Sequence, residues 1–164
     1  MAQNYVQLPY NRIAYSPGRF LLQAENGKFT DKEKEARTIN RAFEIATLSS
    51  DFNNDGALDM VRVNLQGQSK VQISKGHGNN YLKLSLPNVA ESLGAVATAT
   101  LGSGQKLTKH FFTSEGLCSD SSHILYFGLG KEEKVQSIVI SYLNGQTKTI
   151  HNPGINKTIL IAKR

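Results

Sequence analysis

The chain has 164 residues, 39% hydrophobic and 20% charged, with a net charge of +6. This composition excludes a disordered polymer, and the length suits one large domain or two small ones. No run approaches the roughly 18 apolar residues that a bilayer crossing needs, and Cys118, the only cysteine, excludes an internal disulfide and a thiolate metal cluster.

The basic balance raises nucleic acid as a partner, but the distribution argues against it. Lysines and arginines are scattered from Arg12 to Arg164, and the densest cluster, Asp31 to Glu35, alternates in sign as a solvated turn or short helix does. Met1 to Tyr5 shows no basic stretch followed by an apolar one, so no signal peptide is visible. A secreted protein would then have lost its signal or be part of a longer parent, and the other option is a cytoplasmic one.

Residues 1–70 hold short apolar segments divided by turn chemistry. Arg19 to Gln23 runs into Asn26-Gly27, the strongest short-range hairpin signal, and Lys28 to Thr30 resumes beyond it. Asp31 to Phe43 tolerates a helix. Phe43 to Leu48 leads into an acidic loop, and Leu58 to Leu65 leaves it. Four short strands are the content of one antiparallel, propeller-blade-like sheet.

Residues 71–164 are strand after strand. Leu82, Leu84 and Leu86 share a face by alternation, as do Ile138, Ile140 and Tyr142. Ala95 to Leu101 turns at Gly102-Ser103-Gly104 into Gln105 to Phe112, and Asn144-Gly145 turns Gln136 to Tyr142 into Gln146 to Ile150. Ile124 to Phe127 ends at Gly128-Leu129-Gly130, and Thr158 to Ile161 closes the chain. The expected fold is all-β: one four-stranded blade-like sheet and an antiparallel β-sandwich.

Asp51-Phe52-Asn53-Asn54-Asp55-Gly56-Ala57-Leu58-Asp59 is the most specific chemical feature. Calcium takes six to eight oxygen ligands, and Asp51, Asn53 and Asp55 converge on one point if the loop coils. Gly56 permits the bend that turns a backbone carbonyl, that of Ala57, inward, and Asp59 closes the shell. Magnesium, which keeps its waters, suits the loop less well. The opening resembles an EF-hand, but the twelfth position is Arg62 instead of a bidentate glutamate and the exit is a strand. The competing reading is a turn of Asp, Asn and Gly that binds nothing.

Gly18 to Leu22, Asn26 to Asp31 and Asp51 to Asp59 together resemble one FG-GAP/VCBS repeat of the integrin-α type, over about residues 10–70. The resemblance implies calcium held by Asp51, Asn53, Asp55, the Ala57 carbonyl and Asp59. Asn80 to Leu84, Leu93 to Val96, Tyr126 to Gly130, Val135 to Tyr142 and Asn152 to Ile159 resemble the ASPIC/UnbV domain. The order of the two is similar to the C-terminal part of cartilage acidic protein-like proteins, which implies an extracellular, periplasmic or cell-surface setting within a parent protein. In that likeness the loop Thr113, Ser114, Glu115 to Ser119 and Asp120 is present but altered, and is the candidate ligand-binding loop. One blade cannot close a propeller, so the expectation is a C-terminal fragment that packs on further repeats, or a minimal protein whose blade packs on the sandwich or on a second copy.

Nothing gathers into a catalytic constellation. His77, His110, His123 and His151 are dispersed, no nucleophile elbow is present, and Cys118 near His123 in sequence is no evidence of a dyad. The expected function is a non-catalytic calcium-binding module for a protein or glycan ligand, with Tyr5, Tyr10, Tyr15 and Tyr81 as aromatic candidates. The alternative is an accessory domain of a larger enzyme or assembly; hydrolase activity comes third.

Overall fold

The computed structural model describes residues 19–162 except 25, 41, 43, 66, 77, 87, 88, 115–118 and 121. Tyr5, Tyr10, Tyr15, His77, Glu115 and Cys118 therefore lie outside the described residues. The fold is all-β, with twelve strands and one four-residue helix among the described residues.

Strands β1 (Leu21–Gln23) and β2 (Phe29–Asp31) form the hairpin that Asn26-Gly27 announces. Gly27 sits at φ +78°, and Asn26 Oδ1 accepts the Lys28 N–H at 3.0 Å. The alternating charges after β2 form turns: Asp31 Oδ1 accepts the Glu33 N–H at 3.0 Å, and Arg37 adopts φ +54°. Such local carboxylate-to-backbone bonds compete with a helix, and the stretch from Asp31 to Phe43 contains none among its described residues.

Strands β3 (Glu44–Ser50), β4 (Asp59–Asn64) and β5 (Lys70–Gln72) make an antiparallel sheet in that order. The four strands expected as one blade-like sheet are thus divided: β1 and β2 pair only with each other, and β5 supplies the third strand beside β4. Hairpin chemistry specifies a pair, while joining two hairpins depends on long-range register that turns do not encode. The sheet runs to Gln72, so the division at residue 70 falls within β5.

Register pairs Ala46 with Val63, Leu48 with Val61, and Val61 with Val71, placing all five on one face. Thr47, Arg62 and Lys70 lie on the other. The apolar face is poorly covered, with Val71 63% exposed, while the opposite face buries Glu44, Arg62 and Asn64. Every buried apolar side chain among the described residues lies at Leu82 or beyond.

That core belongs to a sandwich. Strands β6 (Asn80–Ser85), β9 (Ile124–Gly130) and β12 (Lys157–Leu160) form one sheet in the order β12-β6-β9. Strands β7 (Val96–Leu101), β8 (Lys106–His110), β10 (Val135–Ser141) and β11 (Thr147–His151) form the other, ordered β11-β10-β7-β8. Leu82, Leu84, Leu125, Phe127 and Leu129 from the first sheet meet Ala97, Ala99, Leu101, Ile138 and Ile140 from the second in one cluster. Helix α1 (Val89–Ser92) connects β6 to β7.

Two details depart from expectation. The sandwich is mixed, because β12 runs parallel to β6, with Lys157 opposite Leu82. Asn156 sets this pairing: its N–H donates to the Tyr81 carbonyl at 2.7 Å, and its Oδ1 accepts the Tyr81 N–H at 3.0 Å. Strand β9 also continues through Gly128-Leu129-Gly130, where the glycines suggest a stop. Leu129 is buried in the core and Gly128 pairs with Tyr81, so burial overrides local preference.

Candidate functional site

The acidic loop joins β3 to β4, and its side chains fold back on its own backbone. Asp51 Oδ1 accepts the Asp55 N–H at 3.0 Å, and Asn53 Oδ1 accepts the same N–H at 3.2 Å. Asp55 Oδ1 accepts the Ala57 N–H at 2.8 Å, while its Oδ2 receives Asn53 Nδ2 at 2.8 Å. Asp51, Asn53 and Asp55 are therefore brought together around the Asp55 amide. Asn54 and Gly56, at φ +59° and +89°, supply the left-handed residues that coil the loop.

Asp59 acts differently from the expected shell-closing ligand. It is 2% exposed, its Oδ2 accepts the Phe52 N–H and its Oδ1 the Ser74 N–H, each at 2.8 Å. It pins the loop entrance to the chain beyond β5. Ala57 contributes its N–H to Asp55. Among the described residues no group of three His, Cys, Asp or Glu side chains is placed around a metal-sized point. Asp51, Asn53 and Asp55 carry the oxygen donors that a hard cation takes, while Asp59 spends both of its oxygens on backbone N–H groups.

The loop is pressed against the outer face of β6 and β9. Lys83, 3% exposed in the middle of β6, donates from Nζ to Asp51 Oδ2 at 2.8 Å and to Asn54 Oδ1 at 3.1 Å. The Tyr126 hydroxyl on β9 lies 3.2 Å from Ser50 Oγ and accepts the Asp51 N–H at 3.4 Å. Ser122 Oγ reaches the same hydroxyl at 3.4 Å. A Cβ at Gly56 would collide with the Tyr81 ring, about 2.1 Å from Cδ1 and Cε1. Beside this contact a cleft of about 280 Å³ is lined by Leu58, Tyr81, Lys109, Tyr126 and Gly128 among others.

Burial pushes the Asp51 carboxyl upward, but the Lys83 ammonium and the Gly56 and Asp55 amides outweigh it and hold it below the ordinary aspartate value. Sequence reading missed Lys83. Its only signal is its place in Tyr81-Leu82-Lys83-Leu84-Ser85, where alternation puts a charge on the outward face and does not say what covers it.

Strands β7 to β12, including the Phe127 to Gly130 segment and the Asn152 to Asn156 turn, supply all of the β11-β10-β7-β8 sheet and two of the three strands of the other. Residues 86–164 match the model of the ASPIC and UnbV family. No curated protein matches the chain. The ASPIC and UnbV segment thus begins just after β6, so Lys83 precedes the matched residues although both strands flanking β6 lie within them. In the candidate ligand-binding loop of this segment, Thr113 and Ser119 are half-buried, and Ser114 and Asp120 are exposed. Among the histidines, His110 stacks on Phe112 at 6.1 Å and His123 lies 6.3 Å from Phe111. No helix among the described residues is long and apolar enough to cross a membrane.

Gly56 is confined twice, by its backbone angle and by the Tyr81 ring. Gly56→Ala is expected to cost about 3 kcal/mol, more than a left-handed backbone penalty of about 1–2 kcal/mol alone. Denaturant titration of Gly56→Ala, Tyr81→Ala and the double variant checks this: the double variant should recover part of the loss, since the ring clash vanishes.

Proposed function

We propose that the chain is a non-catalytic recognition module whose acidic loop takes calcium and whose sandwich holds that loop in place. One observation carries this: Asp51 and Asn53 turn their oxygens onto a single amide, that of Asp55, beside the Asp55 carboxylate. Among the described residues the Lys83 ammonium pairs with Asp51 alone, so the Asp55 and Asp59 carboxylates have no cationic partner and negative charge is left uncompensated. Calcium supplies the missing positive charge when bound, with Asp51, Asn53 and Asp55 as the side-chain ligands. The FG-GAP/VCBS resemblance of residues 10–70 supports the metal, and the likeness to cartilage acidic protein-like proteins supports an extracellular, periplasmic or cell-surface role within a parent protein. The partner is a protein or a glycan.

The test is a thermal melt of the whole chain with calcium, with chelator, and as Asp55→Ala. A ligand at a hundred times its dissociation constant adds about 2.7 kcal/mol, or roughly 5–10 °C here. That rise is expected in the native chain and absent in Asp55→Ala. An equal melt with calcium and chelator sinks the metal and leaves an ordinary turn.

The exposed face of β3-β4-β5 favours an interaction role alongside recognition, because apolar sheet faces need a second layer. For the isolated chain the available partner is a second copy. Sedimentation is expected to show concentration-dependent self-association, weakened by Val71→Lys, which places a charge on the most exposed valine of that face. A monomer at all concentrations would count against it.

A further inference from the structure

We propose that the cleft between α1, the β10–β11 turn and the chain after β12 is a binding subsite for a neutral saccharide. The idea rests on the recognition reading but not on calcium, since no loop residue takes part. The cleft holds about 360 Å³ and is lined by Glu91, Ser92, Tyr142, Asn144, Gln146 and Lys148, with Ile161 at its floor. That volume lies within the roughly 300–1,000 Å³ of small-molecule sites.

Its charge arrangement is the informative part. The Glu91 carboxylate and the Lys148 ammonium share the cleft, yet neither makes an ion pair or hydrogen bond among the described residues. A carboxylate only accepts and an ammonium only donates. Groups that both donate and accept satisfy the two at once, and a saccharide presents one such hydroxyl on most of its carbons. A small zwitterion would also meet the two charges, but it would leave the Asn144 Nδ2 donor of the cleft without work.

The rest of the lining suits the same ligand. Asn144 Oδ1 accepts the Gln146 N–H at 3.0 Å, which fixes the amide and keeps Nδ2 as a donor. Tyr142 packs partly against the core, so its ring is held rigidly at the cleft and offers an apolar surface beside polar groups. The turn itself is closed by two backbone bonds, Tyr142 N–H to Gln146 at 2.9 Å and Gly145 N–H to Tyr142 at 3.0 Å. A preformed cleft of this kind loses little entropy on binding.

The experiment uses the isotopically labelled full chain, titrated with cellotetraose, maltotetraose, laminaritetraose and chitotetraose. Each is taken to about 10 mM, which detects a dissociation constant near 1 mM, about −4 kcal/mol. Amide shifts are expected at residues 91–92, 142–148 and 161–162 with at least one tetrasaccharide. Affinity should fall about tenfold in the double variant Glu91→Gln/Lys148→Met, where Glu91 is exposed, Lys148 is half-buried and neither belongs to the buried core. No shift in those segments with any tetrasaccharide would overturn the proposal, as would undiminished binding by the double variant. A response to glycylglycine in place of the sugars would overturn it in favour of a zwitterion site. Loss of the calcium effect with retained sugar shifts would leave this site standing alone.

Discussion

Lys83→Met is expected to release the acidic loop from the sandwich and to cost about 3–5 kcal/mol, the usual penalty for breaking a buried ion pair from one side. The lysine and aspartate side chains are 4% and 0% exposed, so water cannot replace the lost partner. Methionine keeps the volume and removes the charge, which isolates the electrostatic part. At about 2–4 °C per kcal/mol for a chain of this size, the melting temperature should fall by roughly 10 °C. Hydrogen exchange should show where: amides 51–59 should lose protection, while the strands around Leu82 and Ile138 keep theirs.

The pH dependence of the same pair has a definite sign. The folded Asp51 carboxyl sits below the ordinary aspartate value, so the native pair contributes stability above the unfolded value and loses it as pH falls through the lower folded one. In Lys83→Met, burial remains and its main opponent is gone, which raises the carboxyl instead. Its burden is then felt above the unfolded value and relieved in acid. The gap between native chain and variant should therefore narrow below about pH 4. A gap independent of pH would mean that lost packing, not an orphaned charge, sets the cost. Removing both charges, as Lys83→Met/Asp51→Leu, should recover much of the loss, because an apolar pair of similar volume replaces an ion pair at little cost.

What could be read in advance follows a physical line. The sandwich strands were legible because Leu82-x-Leu84 and Ile138-x-Ile140 write their inner face in period two, and both pairs are fully buried. The hairpins at Asn26-Gly27 and Asn144-Gly145 were legible because Gly27 and Gly145 take φ > 0 and each asparagine side chain accepts the N–H two residues on. Strand β5 was not: three residues, Lys70-Val71-Gln72, carry too little pattern, and only pairing with β4 makes them a strand. The parallel placing of β12 depends on Asn156 meeting Tyr81, a contact 75 residues apart. In the acidic loop, Asp, Asn and Gly in alternation marked a coiled turn, and Asp51 and Asn53 do meet the Asp55 N–H. That alternation could not foretell that Asp59 would spend both oxygens on the backbone, or that a lysine 32 residues away would enter the loop. Local chemistry writes turns and faces; the partner that covers an outward face is written elsewhere in the chain.

Arg62→Met is expected to have an effect of similar size, in a different place. The residue that sets the loop apart from an EF-hand is the hub of the polar face of the β3-β4-β5 sheet. Its Nε donates to Glu44 Oε2 at 2.7 Å, a second guanidinium nitrogen lies 2.6 Å from the same oxygen, and the third donates to the Thr38 carbonyl. Asn40 adds a bond to Glu44 Oε2 at 3.0 Å and another to Asn64 Oδ1 at 2.8 Å, while Thr47 donates to Glu44 Oε1. Burial raises the Glu44 carboxyl, but Thr47, Arg62 and Asn40 together outweigh it and hold it below the ordinary glutamate value. This part of the chain has no buried apolar side chain among the described residues, so its order rests on that network. Losing the guanidinium leaves Glu44 buried and unpaired, at about 3–5 kcal/mol. Arg62→Lys should recover little, since one ammonium cannot reach Glu44 and Thr38 as a planar fork does. Exchange should rise across β3 to β5 in both variants and stay low in the sandwich. Below about pH 4.5 the native sheet should weaken by itself, because the lowered Glu44 carboxyl loses its contribution as it takes up a proton. If Arg62→Met left β3 to β5 as protected as in the native chain, their order would have to come from the apolar face, and a layer covering Val61 and Val71 would be the place to look for it.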